Sequence, residues 1–397
     1  MQTMYSHQVE DLSLYQILVN ECKVYGSAAA VASELSALRK AEQAHRVETA
    51  RTLLTAAVEK LSHGKNTVLY DNAGVPSIMV RIPAMTCEDV LPGCAVPGLH
   101  PAFRCGRKRI REIWFSKYLN TVVAGRAASL PMAQPYNARN IEQASQMISH
   151  KGTGWCLVPF SLRAAINLKC LREDHVPSGN TDIGHDYYNM NEVGTMTESG
   201  AALTGSGPLA WTHNGSPEGI WDLVGNLNEW DCGLRLMDGE LQQMDMDALL
   251  TPGADLGSAS TLWHALDVQG HPVAPGTANT LHFDGCDGEV KLTLHAPKHH
   301  GLGNCAFCDV TVDAGIADEL LKLLALIPPQ AGMPEEAGWR WISTEGEALP
   351  LSGGAFRIMN HSGIFFLGIT KPRDVDYELS GVRTIYVAPD AMKEDEV

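Results

Sequence analysis

The chain has 397 residues, 45% of them apolar and 19% charged, a composition that supports a sizeable core and excludes wholesale disorder. A formal net charge of -16 with no long basic run argues against nucleic acid or an anionic membrane as the main partner. No apolar run approaches the roughly 20 residues of a membrane helix, the opening MQTMYSHQVEDLSLYQ does not read as a secretory signal, and the 10 cysteines therefore read as free thiols.

Residues 1–63 read as helix: from Ser27 to Ser62 there is no Gly or Pro, and Ala, Leu, Glu, Lys and Arg dominate. Gly26 and Ser27 predict a break between two helices, with Ser27 as a cap. Val31, Leu35 and Leu38 share one face, as do Leu54, Val58 and Leu61. This stripe has two readings, a hairpin packed on the main domain or a module for docking or oligomerisation.

HGKNTV marks a boundary at about residue 65, after which TVLYDNAGVPSIMVRIPAM predicts two strands joined at Asp-Asn-Ala-Gly. Helices are predicted over 140–149, 162–172 and 316–327, among short apolar runs rich in Gly and Pro. The expected class is α+β with a second unit over 66–390. HFDGCDGEV at 282–290 lacks the ligand alternation of a calcium loop and reads as a hairpin turn.

The most specific string is GIWDLVGNLNEWDCG at 219–233. In it Gly225 and Asn226 form a tight polar turn, while Glu229 and Trp230 supply a charged and a large apolar anchor. It resembles the Gly-Asn-x-x-Glu-Trp signature of formylglycine-generating-enzyme-like domains, a branch of the C-type lectin fold. SIMVRIPAM (77–85), REIWFSKYLNT (111–121), GWCLVPFSLRAAINLKC (154–170), GGAFR (353–357) and the closing Gly381-Val382-Arg383 follow in the order of those domains. The enzymes of that family carry redox cysteines just after the Gly-Gly pair. Here Ala355 to Met359 occupy that place and no cysteine follows Cys308, so the chain lacks the thiolate that chemistry needs.

The carboxyl-terminal segment, about 353–383, is similar instead to the variable proteins of diversity-generating retroelements, of which phage receptor-binding tropism determinants are typical. Gly353, Gly354, Gly363, Pro372, Arg373, Gly381 and Arg383 match the fixed positions of that pattern. The resemblance implies that Arg357, Ile358, His361, Phe366, Gly368, Thr370, Lys371, Asp374, Val375, Asp376, Tyr377, Glu378 and Leu379 face outward as ligand-binding positions. Phe365 and Leu367 read as core.

The resemblance implies a non-enzymatic receptor-binding protein with no cofactor. Its partner is expected to be a protein or glycan on a host cell surface, without nucleic acid and without membrane insertion. The chain is expected to be a homo-oligomer, with a trimer as the candidate form, made in the bacterial cytoplasm and carried on a phage particle. Two alternatives stand beside it: an enzyme of the same fold with different chemistry, and a structural virion protein. No nucleophile-elbow string or phosphate-binding glycine loop is present. His295, His299 and His300 near Cys305 and Cys308 raise a structural zinc site, against which stands a glycine-rich loop with incidental thiols.

Overall fold

The computed structural model describes residues 12–137 and 140–394. The expectation of helix over 1–11 lies outside the described residues. Helix α1, Leu14–Val24, starts where Ser13 Oγ accepts from the Gln16 amide at 3.1 Å. It stops before Gly26, which takes a positive φ of 65°. Ser27 is not the next cap: a short 3-10 turn, Ala29–Val31, leads into α2, Ala32–Gln43. A further break, unannounced by Gly or Pro, falls at His45 with φ 55° and separates α2 from α3, Val47–Leu61. Among the described residues three α-helices thus stand where the sequence predicts two.

Their apolar stripe is consumed within the chain. Leu18, Val31, Leu38, Leu54 and Val58 form one core with Val68, Ile78, Tyr118, Ala202, Trp211 and Trp221. A buried ion pair fixes the register: Lys117 Nζ lies 2.6 Å from Glu21, with both side chains sealed from solvent. The Tyr118 hydroxyl donates to the same carboxylate at 2.8 Å. Among the described residues the stripe is packed within the chain.

The DNAG turn is a hairpin turn, joining Asn66–Tyr70 to Pro76–Pro83 in antiparallel register. Together with Glu112–Ser116, Thr384–Tyr386 and Trp155–Leu157 these make a five-stranded sheet, in that order. A strand from the carboxyl end, Thr384–Tyr386, is thereby wedged between two strands from the first half, with Ile385 opposite both Phe115 and Cys156.

A larger sheet holds the segment of most interest. Leu367–Lys371 runs parallel to Trp339–Ser343 and antiparallel to Glu347–Ser352, with Gly368 opposite Trp341 and Leu351. Glu347–Ser352 continues to Asn228–Trp230, with Leu351 opposite Trp230. HFDGCDGEV forms the expected hairpin, His282–Cys286 with Glu289–Thr293. Two of the predicted helices appear, Ile141–Ser149 and Phe160–Arg172, but the one expected over 316–327 is reduced to Glu319–Leu323. There the chain turns at Ala325 (φ 48°), whose carbonyl accepts from the buried Arg340 guanidinium at 2.8 Å. The class is α+β with an amino-terminal helical segment.

Candidate binding surface

Gly225, Asn226 and Glu229 of the Gly-Asn-x-x-Glu-Trp string each sit where their residue type is needed. Gly225 has φ 71°, and a Cβ there would meet the Asn180 carbonyl at 2.3 Å. Asn226 also takes a left-handed φ of 60° and is sealed from solvent. Its side chain acts as a backbone mimic, Oδ1 accepting from the Ala202 amide at 2.8 Å and Nδ2 donating to the Ala202 carbonyl at 3.1 Å. Its own amide donates to Asn180, and its carbonyl accepts from Phe356. One asparagine therefore fixes the 180–202 excursion and the start of the 353–361 segment to each other.

Glu229 is the charge at the centre of this frame. Arg383 grips it with Nε and Nη2, each at 2.8 Å, and Arg163 Nη2 bonds the same carboxylate. Burial alone would raise the Glu229 carboxyl, but the two guanidiniums overcome burial and hold it below the ordinary value. Arg383 also donates to the carbonyls of Ser116 at 3.1 Å and Trp221 at 2.9 Å. Planar, multidentate donation is what only arginine supplies. Trp230 is fully buried beside it. Arg373 is a surface counterpart, paired with Glu347 at 2.9 Å, which Arg235 shares at 2.8 Å. Pro372 is exposed in the turn that follows the strand.

The positions between these anchors divide into two lobes flanking the strand Leu367–Lys371. In the first, Arg357 is exposed and Ile358 and His361 are half-buried. Gly353 and Gly354 both have positive φ, and a Cβ on Gly354 would strike Ser362 Oγ at 2.3 Å. That tight entry sends 355–361 outward. His361 packs against Trp339 in a tilted arrangement with ring centroids 4.0 Å apart and lies 5.9 Å from Trp341. Burial holds its imidazole below the ordinary value, against the opposing charge of Glu335. In the second lobe Asp374, Val375, Asp376 and Glu378 are exposed, and Thr370, Lys371, Tyr377 and Leu379 are half-buried. The Lys371 ammonium sits 4.7 Å from the Tyr377 ring centroid, and Asp376 accepts from Asn140 at 2.8 Å. Leu379 returns to pack in a small cluster with Phe356, which joins the two lobes at their base.

Two expected surface positions are not on the surface. Phe366 is 6% exposed, with its amide bonded to Gly363 and its carbonyl accepting from Gly353. Gly368 is buried mid-strand, and a Cβ there would lie 3.6 Å from the Phe366 ring. The ring is folded over the bare glycine, so this pair is packing. Phe365 and Leu367 are core.

The excursion that carries the most exposed apolar surface has no counterpart among the sequence-based expectations. Ile183, Tyr187, Tyr188, Met190, Val193 and Met196 are each more than 40% exposed. They sit on a loop held by its own polar groups: Asp186 accepts from the Tyr188 and Asn189 amides at 2.9 Å, and Thr181 Oγ1 from the Tyr187 amide at 2.8 Å. The loop is bonded to the first lobe by the Ile183 amide on Phe356 O at 2.8 Å and the Met359 amide on Thr181 O at 3.0 Å. Met359, 44% exposed, thus extends the tyrosine-bearing surface into the carboxyl-terminal segment. A Tyr-Tyr-Asn-Met run inside an otherwise polar stretch is the signal that could have found it.

The candidate zinc ligands do not assemble. Cys305 is buried opposite Arg340, and His299 turns to Asp284 at 3.1 Å. Among the described residues no three metal-ligating side chains, including His295 and Cys308, converge on one point. No described helix is long and apolar enough to cross a membrane. Compared with known proteins, the chain matches no family model and no curated protein.

Proposed function

We propose that the chain is a non-enzymatic ligand-binding protein of C-type-lectin fold, of the kind that retroelements diversify, and that it serves as a receptor-binding component of a phage particle. The observation that carries this reading is the partition within 353–383. Gly353, Gly354, Gly363, Gly381 and Arg383 are buried in the frame, whereas Arg357, Asp374, Val375, Asp376 and Glu378 reach solvent. Such a partition lets side chains change without disturbing the core.

The recognition face consists of 357–361 with the Tyr187 and Tyr188 loop, and the 370–379 lobe flanks it. Exposed Tyr, Met and Arg are the residue types that anchor protein interfaces. Homo-oligomerisation on the particle, as a trimer, multiplies weak individual contacts.

The decisive test is genomic and then biochemical. The source genome should hold a near-copy of the 353–383 coding segment beside a reverse-transcriptase gene, with differences confined to adenines of the template. Exchanging the exposed residues of 357–361 and 374–378 as a block should change which bacterial cells the protein binds while its melting temperature stays put. Cell binding indifferent to that exchange sinks the reading.

A further inference from the structure

A cleft of about 720 Å3 opens between the helix Ile141–Ser149, the strand Trp155–Leu157 and the turn at 249–257. Cys156 and Cys232 both line it, together with Trp155, Met244, Leu249 and Trp263. Their sulfurs lie 3.9 Å apart, and both thiols are free. Cys156 belongs to the last strand of the five-stranded sheet, and Cys232 follows Asn228–Trp230 of the larger sheet. The Cys232 amide donates to Val158 O at 2.9 Å, and the Phe160 amide donates to Cys232 O at 2.9 Å. Backbone bonds thus hold the two cysteines in place, and the thiols meet at the junction of two sheets.

We propose that Cys156 and Cys232 are an oxidisable dithiol, closed to a disulfide by a small-molecule disulfide that enters through this cleft. In the first step the Cys156 thiolate attacks one sulfur of the small disulfide. The S–S bond breaks, one small thiol leaves, and a mixed disulfide remains on Cys156. In the second step Cys232 attacks the Cys156 sulfur, the protein S–S bond forms, and the second small thiol departs. The two protons of the protein thiols end on the two released thiols, so the protein is oxidised by two electrons and the small disulfide is reduced. Contact with Cys156, and then burial, raise the Cys232 thiol well above its ordinary value, which disfavours Cys232 as the first attacker. The cleft gives room for the mixed disulfide.

The bond would close a loop of 76 positions that contains the helix Phe160–Arg172 and the whole Tyr187 and Tyr188 excursion. Oxidation would therefore staple the base of the loop that carries the exposed tyrosines. This holds whether or not that surface binds a receptor.

The folded protein is incubated with oxidised glutathione, blocked with an alkylating reagent and digested without reductant. The expected product is a single cross-linked peptide pair joining Cys156 to Cys232. The melting temperature should rise by about 5 °C and fall back on adding dithiothreitol. In Cys232→Ser the glutathione adduct should stay on Cys156, and in Cys156→Ser no cross-link should form. The proposal is overturned if Cys156 and Cys232 are recovered alkylated after exhaustive oxidation of the folded protein. It is equally overturned if the pair cross-links only after thermal unfolding, or cross-links without raising the melting temperature. Peptide mapping of the unsubstituted chain separates these outcomes even if neither variant folds.

Discussion

Replacing Asp222 by Asn should stabilise the protein at neutral pH and remove part of its pH dependence. The Asp222 carboxylate is 1% exposed, and neither oxygen makes a hydrogen bond of full geometry, the Gly205 amide being the nearby donor. Burial pushes the carboxyl from 3.8 up to about 7, against the pull of Arg383 and the nearby Gly205 amide. In the unfolded chain the group ionises near its ordinary value. Between that value and the raised one, the folded state therefore binds more protons than the unfolded state, and stability falls as pH rises through this window. Above the raised value the full penalty applies; below the ordinary value there is none. The rise from 3.8 to about 7, at about 1.36 kcal/mol per pH unit, gives an upper bound of about 4 kcal/mol. For a chain of this size that corresponds to about 5 °C in melting temperature. Asn keeps the shape without the charge. Thermal melts of both proteins from about pH 4 to about pH 8 should show curves that nearly coincide at the acid end and separate in favour of Asp222→Asn toward the alkaline end. A gap that is constant with pH, or a native protein that is the more stable at the alkaline end, would show that burial does not raise the Asp222 carboxyl.

Glu229→Gln leaves Arg163 and Arg383 buried without their shared counter-charge, and should cost about 3–5 kcal/mol in urea unfolding. Tyr187→Ala with Tyr188→Ala should shift the melting temperature by no more than about 1 °C, yet weaken cell binding about tenfold or more if this loop is part of the recognition face. Phe366→Ala should cost about 3–5 kcal/mol by opening the cover over Gly368. Arg357→Ala, a few residues away and exposed, should stay within about 0.5 kcal/mol on the same denaturation assay.

The parts of the molecule that are legible in the sequence are those whose chemistry is local. Gly225 and Asn226 announce a left-handed turn because few residues tolerate one, and Asp-Asn-Ala-Gly announces a hairpin for the same reason. Glu229 and Arg383 are readable as anchors, but not as partners, because 154 positions separate them. The Lys117 and Glu21 pair is hidden for the same reason, with 96 positions between the two residues. At His45 the chain turns with a residue that carries no breaker signal, so the sequence predicts two helices where there are three. Phe366 and Gly368 are misplaced by the motif because it gives positions along the chain, whereas burial depends on which ring folds over which backbone. The tyrosine loop escapes notice because aperiodic, polar sequence gives no hint that its own side chains will brace it.

The strand Thr384–Tyr386, set between Glu112–Ser116 and Trp155–Leu157, imposes an order on synthesis. Until the ribosome has delivered it, the early strands on either side face an open slot, and Arg383 is absent from Glu229. The slot can fill only after 353–383 has been translated in frame. A frameshift or stop codon within that stretch yields a chain with two unpaired strand edges and a buried carboxylate short of one of its cations, a form prone to aggregation and proteolysis. Substitutions at its exposed positions leave the closing strand intact. Loss of the reading frame ahead of Thr384 thus removes the sheet's closing strand, whereas a change at an exposed side chain of 353–383 does not.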